Sequence, residues 1–162
     1  MPLNEGDKAP EFCLEGLTPE GEEKNICLKD LLSEGKYLIL YFYPKDNTPG
    51  CTTEACDFRD NLNVLSAKAV VAGVSPDSIN SHRKFKEKYN LNFYLLSDPD
   101  KKVLEAYDAY GEKKMYGKVT KGVIRSTYII SPDGTIVKKW KNVKAKGHVA
   151  KVVEELEKLT QS

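Results

Sequence analysis

Residues 37–56 read YLILYFYPKDNTPGCTTEAC, and this stretch decides the fold. Its first part, residues 37–43, is an unbroken apolar and aromatic run, which is typical of a strand buried on both faces in the middle of a sheet. A polar loop follows. Thr48 and Pro49 then predict the N-cap and first residue of a helix over residues 49–66. A central strand that leads directly into a helix indicates an α/β protein.

The rest of the chain continues this alternation. The patterns predict further strands at residues 11–14, 24–28, 70–75, 94–97, 126–131 and 135–140. They predict further helices at residues 28–33, 79–89 and 101–107 and at the C-terminus, and a polar loop at residues 108–122. This order is similar to the thioredoxin fold. We therefore expect one domain over residues 1–162, a three-layer α/β sandwich with a mixed central sheet and an N-terminal β-hairpin extension.

Composition narrows the class of protein. The chain has 162 residues, of which 40% are hydrophobic and 30% charged, as in an ordinary globular domain. A formal net charge of +1 provides no strong field for nucleic acid or anionic membranes, so we expect neither as a partner. The N-terminal residues lack the apolar core of a signal peptide. We therefore predict a cytoplasmic protein.

Cys51 is the first candidate for chemistry. It falls at about the third position of the predicted helix, where free backbone N–H groups and the positive end of the helix dipole favour a thiolate. The thiolate is the reactive form of cysteine. At about 100° per residue, Cys51 shares an apolar, core-facing stripe with Ala55, Phe58, Leu62 and Leu65.

Cys56 lies on a different side of the same helix, roughly 140° round from Cys51. In an intact helix their Cα atoms are about 8 to 9 Å apart, whereas a disulfide needs less than roughly 7 Å. The two cysteines therefore either never pair or pair only when the start of the helix unwinds.

Other interpretations of the cysteines remain open at this stage. Free cysteines are commonly small buried hydrophobes, so a binding or holdase protein with inert thiols is an alternative. We expect inert thiols for Cys13 and Cys27, although an opening-strand disulfide is a second option for that pair. Permanent disulfides are not expected in a reducing compartment.

Metal and cofactor sites are not predicted. Zinc prefers Cys-x₂₋₄-Cys with a second ligand pair, and His82 and His148 form no paired motif. The chain has neither Cys-x-x-Cys nor a glycine-rich phosphate loop. A thiol oxidoreductase that reduces disulfides without peroxide chemistry is a third alternative.

A family resemblance favours one interpretation. The pattern Pro44-x-x-x-Thr48-x-x-Cys51 resembles the active-site motif of peroxiredoxins. The longer string over residues 42–56 is similar to the Q type, also called the bacterioferritin comigratory protein family. The resemblance extends over most of the chain, through Gly6-Asp7-Lys8-Ala9-Pro10-Glu11-Phe12, Val74-Ser75-Pro76-Asp77 and Arg125-Ser126-Thr127-Tyr128.

The resemblance implies a thiol-specific peroxidase and a role for each motif residue. Cys51 would attack a hydroperoxide and become a sulfenic acid. Thr48 would hydrogen-bond the thiolate and the peroxide, and Pro44 would shield the site. Arg125 would stabilise the thiolate and polarise the peroxide. From the residues alone, Arg59, Arg83 and Arg125 are not ranked.

The resemblance also implies the remaining steps. Glu54 would be a partner of the arginine. Cys56 matches the resolving position of the Q type, so it would form an intramolecular disulfide with Cys51. A thioredoxin-like dithiol reductant would then reopen the disulfide. Resolution within one chain allows a monomer, and no cofactor is required.

Overall fold

A computed structural model describes residues 2–161, apart from the side chain of Met115. The strands are β1 (Cys13–Leu17), β2 (Glu23–Cys27), β3 (Tyr37–Phe42), β4 (Ala69–Ser75), β5 (Tyr94–Ser97), β6 (Tyr110–Met115), β7 (Lys118–Val123), β8 (Ser126–Ile130) and β9 (Ile136–Lys141). The helices are α1 (Leu28–Leu31), α2 (Pro49–Leu65), α3 (Ile79–Tyr89), α4 (Lys102–Ala106) and α5 (His148–Thr160). Over these residues, seven strands form one sheet in the order β2-β1-β5-β4-β3-β8-β9.

The sheet is mixed, as predicted. β3 pairs in parallel with β4, and β4 pairs in parallel with β5. β8 lies antiparallel to the other side of β3, and the β1–β2 hairpin adds antiparallel strands beyond β5. The carboxyl ends of β3, β4 and β5 therefore meet at one edge of the sheet, a favoured place for sites in α/β proteins.

Helices cover both faces of this sheet. Buried residues of α1 and α4 pack with Leu38, Leu40 and Phe42 of β3. Buried residues of α2, α3 and α5 pack with Ile39 and Tyr41 on the opposite face. Side chains of β3 alternate between two cores, which explains why its sequence is apolar without interruption. The predicted three-layer, thioredoxin-like sandwich is confirmed.

The predicted loop over residues 108–122 is wrong. β6 and β7 form an antiparallel hairpin there, outside the main sheet. Its turn residues, Tyr116 and Gly117, both have positive φ, at 54° and 78°. Such a turn matches the twist of paired strands. Every described side chain of β7 before Gly122 is exposed, so no apolar alternation marked the strands in the sequence.

None of the helices within residues 2–161 combines the length and apolar character that crossing a membrane requires.

Candidate active site

Cys51 lies where the central strand passes into the second helix. β3 ends at Phe42, a loop follows, and α2 begins at Pro49 with Thr48 as its N-cap residue. Cys51 is in the first turn of α2 and only 2% exposed. Ala55, Phe58 and Leu65 continue the same buried stripe, as predicted. The helix start therefore holds the sulfur against the core while its free N–H groups lie nearby.

Thr48 is the N-cap residue of α2, as predicted, but its side chain does not make the hydrogen bond expected of a cap. Its backbone is extended. The Thr48 hydroxyl donates instead to the Lys45 carbonyl at 2.8 Å. Since the hydroxyl proton is used in the loop, the oxygen keeps its lone pairs to accept another hydrogen bond. Pro44 begins this loop and is half-buried.

Arg125 reaches the cysteine from the other side of the site. It lies directly before β8, and its Nη2 donates to the Cys51 sulfur at 3.3 Å. Gly50 makes room for this contact, because a Cβ at that position would lie 3.3 Å from Nη2. The Cys51 sulfur therefore lies within hydrogen-bonding distance of a positively charged group.

The other two arginines lie elsewhere. Arg59 bonds to Asp60 and to the Tyr89 carbonyl. Arg83 bonds to Glu23 and to the Gly21 carbonyl. Of the three arginines, Arg125 is therefore the one that contacts the Cys51 sulfur.

Glu54 completes the charged cluster. Its Oε1 accepts from Arg125 Nη1 at 2.7 Å, and the residue is 0% exposed. Its second oxygen, Oε2, has no hydrogen-bond partner among residues 2–161. Burial raises the pKa of Glu54 to about 7, although Arg125 opposes this shift. Glu54 therefore gains or loses a proton near neutral pH. It is bonded to Arg125, the residue that contacts the Cys51 sulfur.

Cys56 is free and partly exposed, on the side of α2 away from the Cys51 stripe. α2 is continuous from Pro49 to Leu65, so the two sulfurs are held apart in this conformation. Partial burial raises the pKa of the Cys56 thiol, while Arg59 partly opposes the effect. Cys56 is therefore a protonated thiol at rest.

A buried polar cluster under the loop was not predicted. Asp46 Oδ2 contacts His82 Nδ1 at 2.6 Å, and His82 Nε2 contacts the Leu96 carbonyl at 2.8 Å. The Tyr43 and Ser81 hydroxyls also donate to Asp46, at 2.6 and 2.8 Å. Both ring nitrogens of His82 thus have a hydrogen-bond partner, and this buried ring joins the loop residue Asp46 to β5. The sequence had no motif that joined residues so far apart.

The other two cysteines correct an expectation. Cys13 and Cys27 are not separate inert thiols but form a disulfide between β1 and β2. They are direct partners in the antiparallel register, which brings their side chains together. This is the opening-strand disulfide left as a second option, and it does not involve Cys51 or Cys56.

Metal chemistry has no candidate in this region. Among residues 2–161, no three His, Cys, Asp or Glu side chains gather in a way that could hold a metal ion. The fold and the site together define a cysteine-dependent redox enzyme: a thioredoxin-like sheet, a cysteine at a helix start, and an arginine on its sulfur.

Comparison with known proteins identifies the family. The model of the AhpC/TSA family matches residues 5–139. Peroxiredoxin Bcp of Bacillus subtilis is 48% identical over 162 residues, with 99% of both chains covered. A peroxiredoxin Q mutant structure from Xylella fastidiosa is 36% identical, has a TM-score of 0.85 and covers 99% of both chains. The bacterioferritin comigratory protein of Xanthomonas campestris is 38% identical, with a TM-score of 0.82, over 93% of this chain and 92% of its own.

The chain belongs to the AhpC/TSA family and, within it, to the peroxiredoxins of the Q or bacterioferritin comigratory protein type. It is a peroxidase that acts through a thiol. The alternatives of a holdase with inert cysteines and of an oxidoreductase without peroxide chemistry are thereby set aside.

Proposed function

We propose that this chain reduces hydrogen peroxide and organic hydroperoxides through Cys51, that Cys56 resolves the product, and that a thioredoxin-like dithiol recycles the enzyme. One observation carries the proposal: Arg125 Nη2 lies 3.3 Å from the Cys51 sulfur, at the N-terminus of α2. A positive charge and a helix N-terminus beside one sulfur form the electropositive surroundings in which reactive cysteines are found.

In the first half of the cycle, the Cys51 thiolate attacks one oxygen of the hydroperoxide O–O bond. That oxygen becomes the sulfenic acid, and the other leaves as water or an alcohol after taking a proton. Negative charge grows on the leaving oxygen in this step. Arg125 has further N–H donors for that charge, so it stabilises the transition state electrostatically.

Thr48 and Pro44 shape the peroxide site in this proposal. The Thr48 hydroxyl donates to the Lys45 carbonyl, which leaves its oxygen to accept the hydroperoxide O–H. Pro44 carries no backbone N–H and begins the loop that leads to α2, and in this proposal it shields the thiolate from water without donating a hydrogen bond to it. Glu54 holds the guanidinium of Arg125 in position through the 2.7 Å contact at Nη1.

In the second half of the cycle, the Cys56 sulfur attacks the Cys51 sulfenic acid, water leaves, and an intramolecular disulfide forms. The intact helix keeps the Cα atoms about 8 to 9 Å apart, so the first turns of α2 must unwind for this step. Unwinding also brings the disulfide to the surface, where the reductant's thiolate can attack it. This makes the enzyme an atypical two-cysteine peroxiredoxin.

The same chemistry bears on the oligomeric state, the location and the substrates of the protein. Because both redox cysteines belong to one helix, a monomer suffices for turnover, and sedimentation of an 18.2 kDa species in both redox states would agree with this. A cytoplasmic location suits a cycle driven by a dithiol reductant. The Xanthomonas relative is described by its alkyl peroxide reduction activity, which supports organic hydroperoxides as substrates here.

A coupled peroxide-consumption assay with thioredoxin tests this proposal. Cys51→Ser should abolish consumption of hydrogen peroxide, while Cys56→Ser should consume one equivalent and then stop. The matched control is Cys13→Ser, which leaves both proposed redox cysteines in place and should turn over normally. Steady turnover by Cys51→Ser would refute the nucleophile, and steady turnover by Cys56→Ser with thioredoxin would refute the resolving cysteine.

A further inference from the structure

We infer that Cys13 and Cys27 form a second redox couple. Peroxide forms their disulfide, which cross-links β1 to β2, and a dithiol reduces it. This disulfide takes no part in the catalytic cycle. The inference goes beyond the proposed cycle and does not depend on it.

The first support is the register of the strands. Cys13 and Cys27 are opposite one another in the β1–β2 ladder and are joined in the structure. The backbone beside them is already fixed, because the Leu28 N–H donates to the Phe12 carbonyl at 3.0 Å. In addition, the Cys27 N–H donates to Asp30 Oδ2 at 2.9 Å. Closing this disulfide therefore needs no unfolding, in contrast with the pairing of Cys51 and Cys56.

The second support is exposure. Cys13 is exposed to solvent, whereas Cys27 is buried at 8% exposure beside Leu28. A small oxidant or a reductant's thiolate thus has direct access to the Cys13 sulfur. Cys27, which is less exposed, is then the resolving thiol. Exposed disulfides are the ones most readily reduced.

The third support is separation from the active site. Counting along the sheet, β5 and β4 lie between β1 and β3, the strand that leads to Cys51. Three strand spacings amount to roughly 14 Å, twice the Cα separation that a disulfide allows. Within one chain, Cys13 and Cys27 therefore cannot resolve the Cys51 sulfenic acid.

The chemistry uses the hydroperoxide that is the substrate of this family. The Cys13 thiolate attacks the O–O bond and becomes a sulfenic acid, and water or an alcohol leaves. The Cys27 sulfur then attacks that sulfenic acid, and a second water leaves. Two thiols and one hydroperoxide thus give one disulfide, one alcohol or water, and one water. A dithiol reverses the bridge by exchange.

The bridge should make stability depend on redox state. The cysteines are 14 positions apart in the chain, and for a closed loop of about this size the chain-entropy model predicts an unfolding constant roughly a hundredfold smaller when bridged. The disulfide also holds β2, an edge strand, against β1, which limits fraying at the edge of the sheet.

The test uses the Cys51→Ser/Cys56→Ser variant, treated with dithiothreitol and then with excess hydrogen peroxide. After alkylation and tryptic digestion, we expect a cross-linked pair of peptides, residues 9–24 with residues 25–29. The pair should disappear on treatment with thioredoxin. The same digest of wild-type protein guards against misfolding of the variant.

Stability and turnover complete the test. The urea midpoint of the oxidised protein should exceed that of the reduced protein, and Cys13→Ser/Cys27→Ser should abolish the difference while keeping wild-type peroxidase turnover. Absence of the cross-linked pair, or equal midpoints in both redox states, would overturn the inference. Loss of turnover in Cys13→Ser/Cys27→Ser would also overturn it, since the pair would then belong to the catalytic cycle. None of these failures would affect the Cys51→Ser result.

Discussion

At the scale of single residues, reactivity depends on how charge is distributed around the Cys51 sulfur. Arg125 donates one N–H to this sulfur and another to Glu54. The planar guanidinium donates to both partners at once. A lysine ammonium does not present two donors in the same fixed geometry. In the proposed reaction the guanidinium is therefore in position before the peroxide arrives, and little reorganisation is needed.

Arg125→Lys should slow the reaction of Cys51 with hydrogen peroxide. A hydrogen bond to a charged group contributes about 1.5 to 3 kcal/mol, so we expect kcat/KM to fall roughly 10- to 100-fold. Stopped-flow measurement of the peroxide reaction gives this value directly. Arg83→Lys is the matched control because Arg83 contacts Glu23 and Gly21, away from the site. An unchanged rate in Arg125→Lys would contradict the assigned role.

Glu54 should make stability depend on pH with a definite sign. Its pKa is raised to about 7 from 4.5, so the folded state holds a proton that the unfolded state has lost between these values. The stabilisation is present below about pH 4.5 and is lost as the pH rises through about 7. Relative to Glu54→Gln, the wild type should lose roughly 3 kcal/mol across this interval.

Urea unfolding at several pH values measures this difference, with exposed Glu87→Gln as the control. A constant difference between wild type and Glu54→Gln from acid to neutral pH would show that Glu54 is not protonated in the folded state.

Single residues also mark the limit of sequence reasoning. The motif predicted that Cys51, Thr48 and Pro44 belong to one loop and helix start, because they are close in the chain. Arg125 is 74 positions from Cys51, and its place rested on the family resemblance alone. Asp46 and His82 are 36 positions apart, and no local pattern announces their pairing.

At the scale of elements, α2 combines two opposed requirements. Its first turn presents Cys51 for reaction, and its continuity keeps Cys56 out of reach. The first turn lacks two common stabilising features, because Thr48 makes no side-chain cap to α2 and no acidic residue balances the dipole. The absence of both features lowers the free-energy cost of opening the helix start.

Hydrogen exchange should therefore report a change confined to the start of α2. In the peroxide-oxidised enzyme, the amides of residues 52–56 should lose protection by orders of magnitude, whereas α3 should keep it. Measurement by mass spectrometry on reduced and oxidised protein tests this expectation. Equal protection of residues 52–56 in both states would show that resolution does not require unwinding.

The loop before α2 needs the opposite property, which the Asp46–His82 pair supplies. Asp46 joins this loop to α3 and β5 through buried hydrogen bonds. We expect it to stay in place while α2 unwinds. Asp46→Asn replaces one carboxylate oxygen, which accepts buried hydrogen bonds, with an NH2 donor. Because a buried partner is then left unsatisfied, we expect a loss of about 1 to 3 kcal/mol of unfolding free energy.

Chemical denaturation measures this loss, and Asp100→Asn provides an exposed control. A loss under about 0.5 kcal/mol, as for ordinary surface substitutions, would contradict the anchoring role.

Helix and strand positions were predictable where burial imposes a period on the sequence. The bounds of α3 and β5 agree with prediction, and α2 ends one residue earlier than expected. β6 and β7 were missed because most of their described side chains are exposed or only half-buried, on a hairpin whose two strands pair with each other. Its strand pairing depends on a turn with two positive φ values rather than on apolar alternation.

At the scale of the whole molecule, the sheet separates two cysteine pairs with different chemistry. Cys51 and Cys56 lie in one helix and need motion to meet, whereas Cys13 and Cys27 lie in paired strands and need none. Distance along the sheet keeps the pairs independent. The strand order creates this separation, and it follows from the crossovers that connect β3, β4 and β5. Sequence patterns predict the fold class that contains such crossovers, but they do not predict the distances between residues.

In the proposed cycle, Cys51 reacts first and is resolved by Cys56 within the same helix. The most direct test is mass spectrometry of the reduced enzyme after one equivalent of hydrogen peroxide, alkylation and tryptic digestion. Residues 46–59 form one tryptic peptide that carries both cysteines. We predict that this peptide escapes alkylation and is lighter by two hydrogens, which marks an internal Cys51–Cys56 disulfide. A peptide alkylated at Cys51, or a Cys51 sulfenic acid that persists beside an alkylated Cys56, would contradict the account.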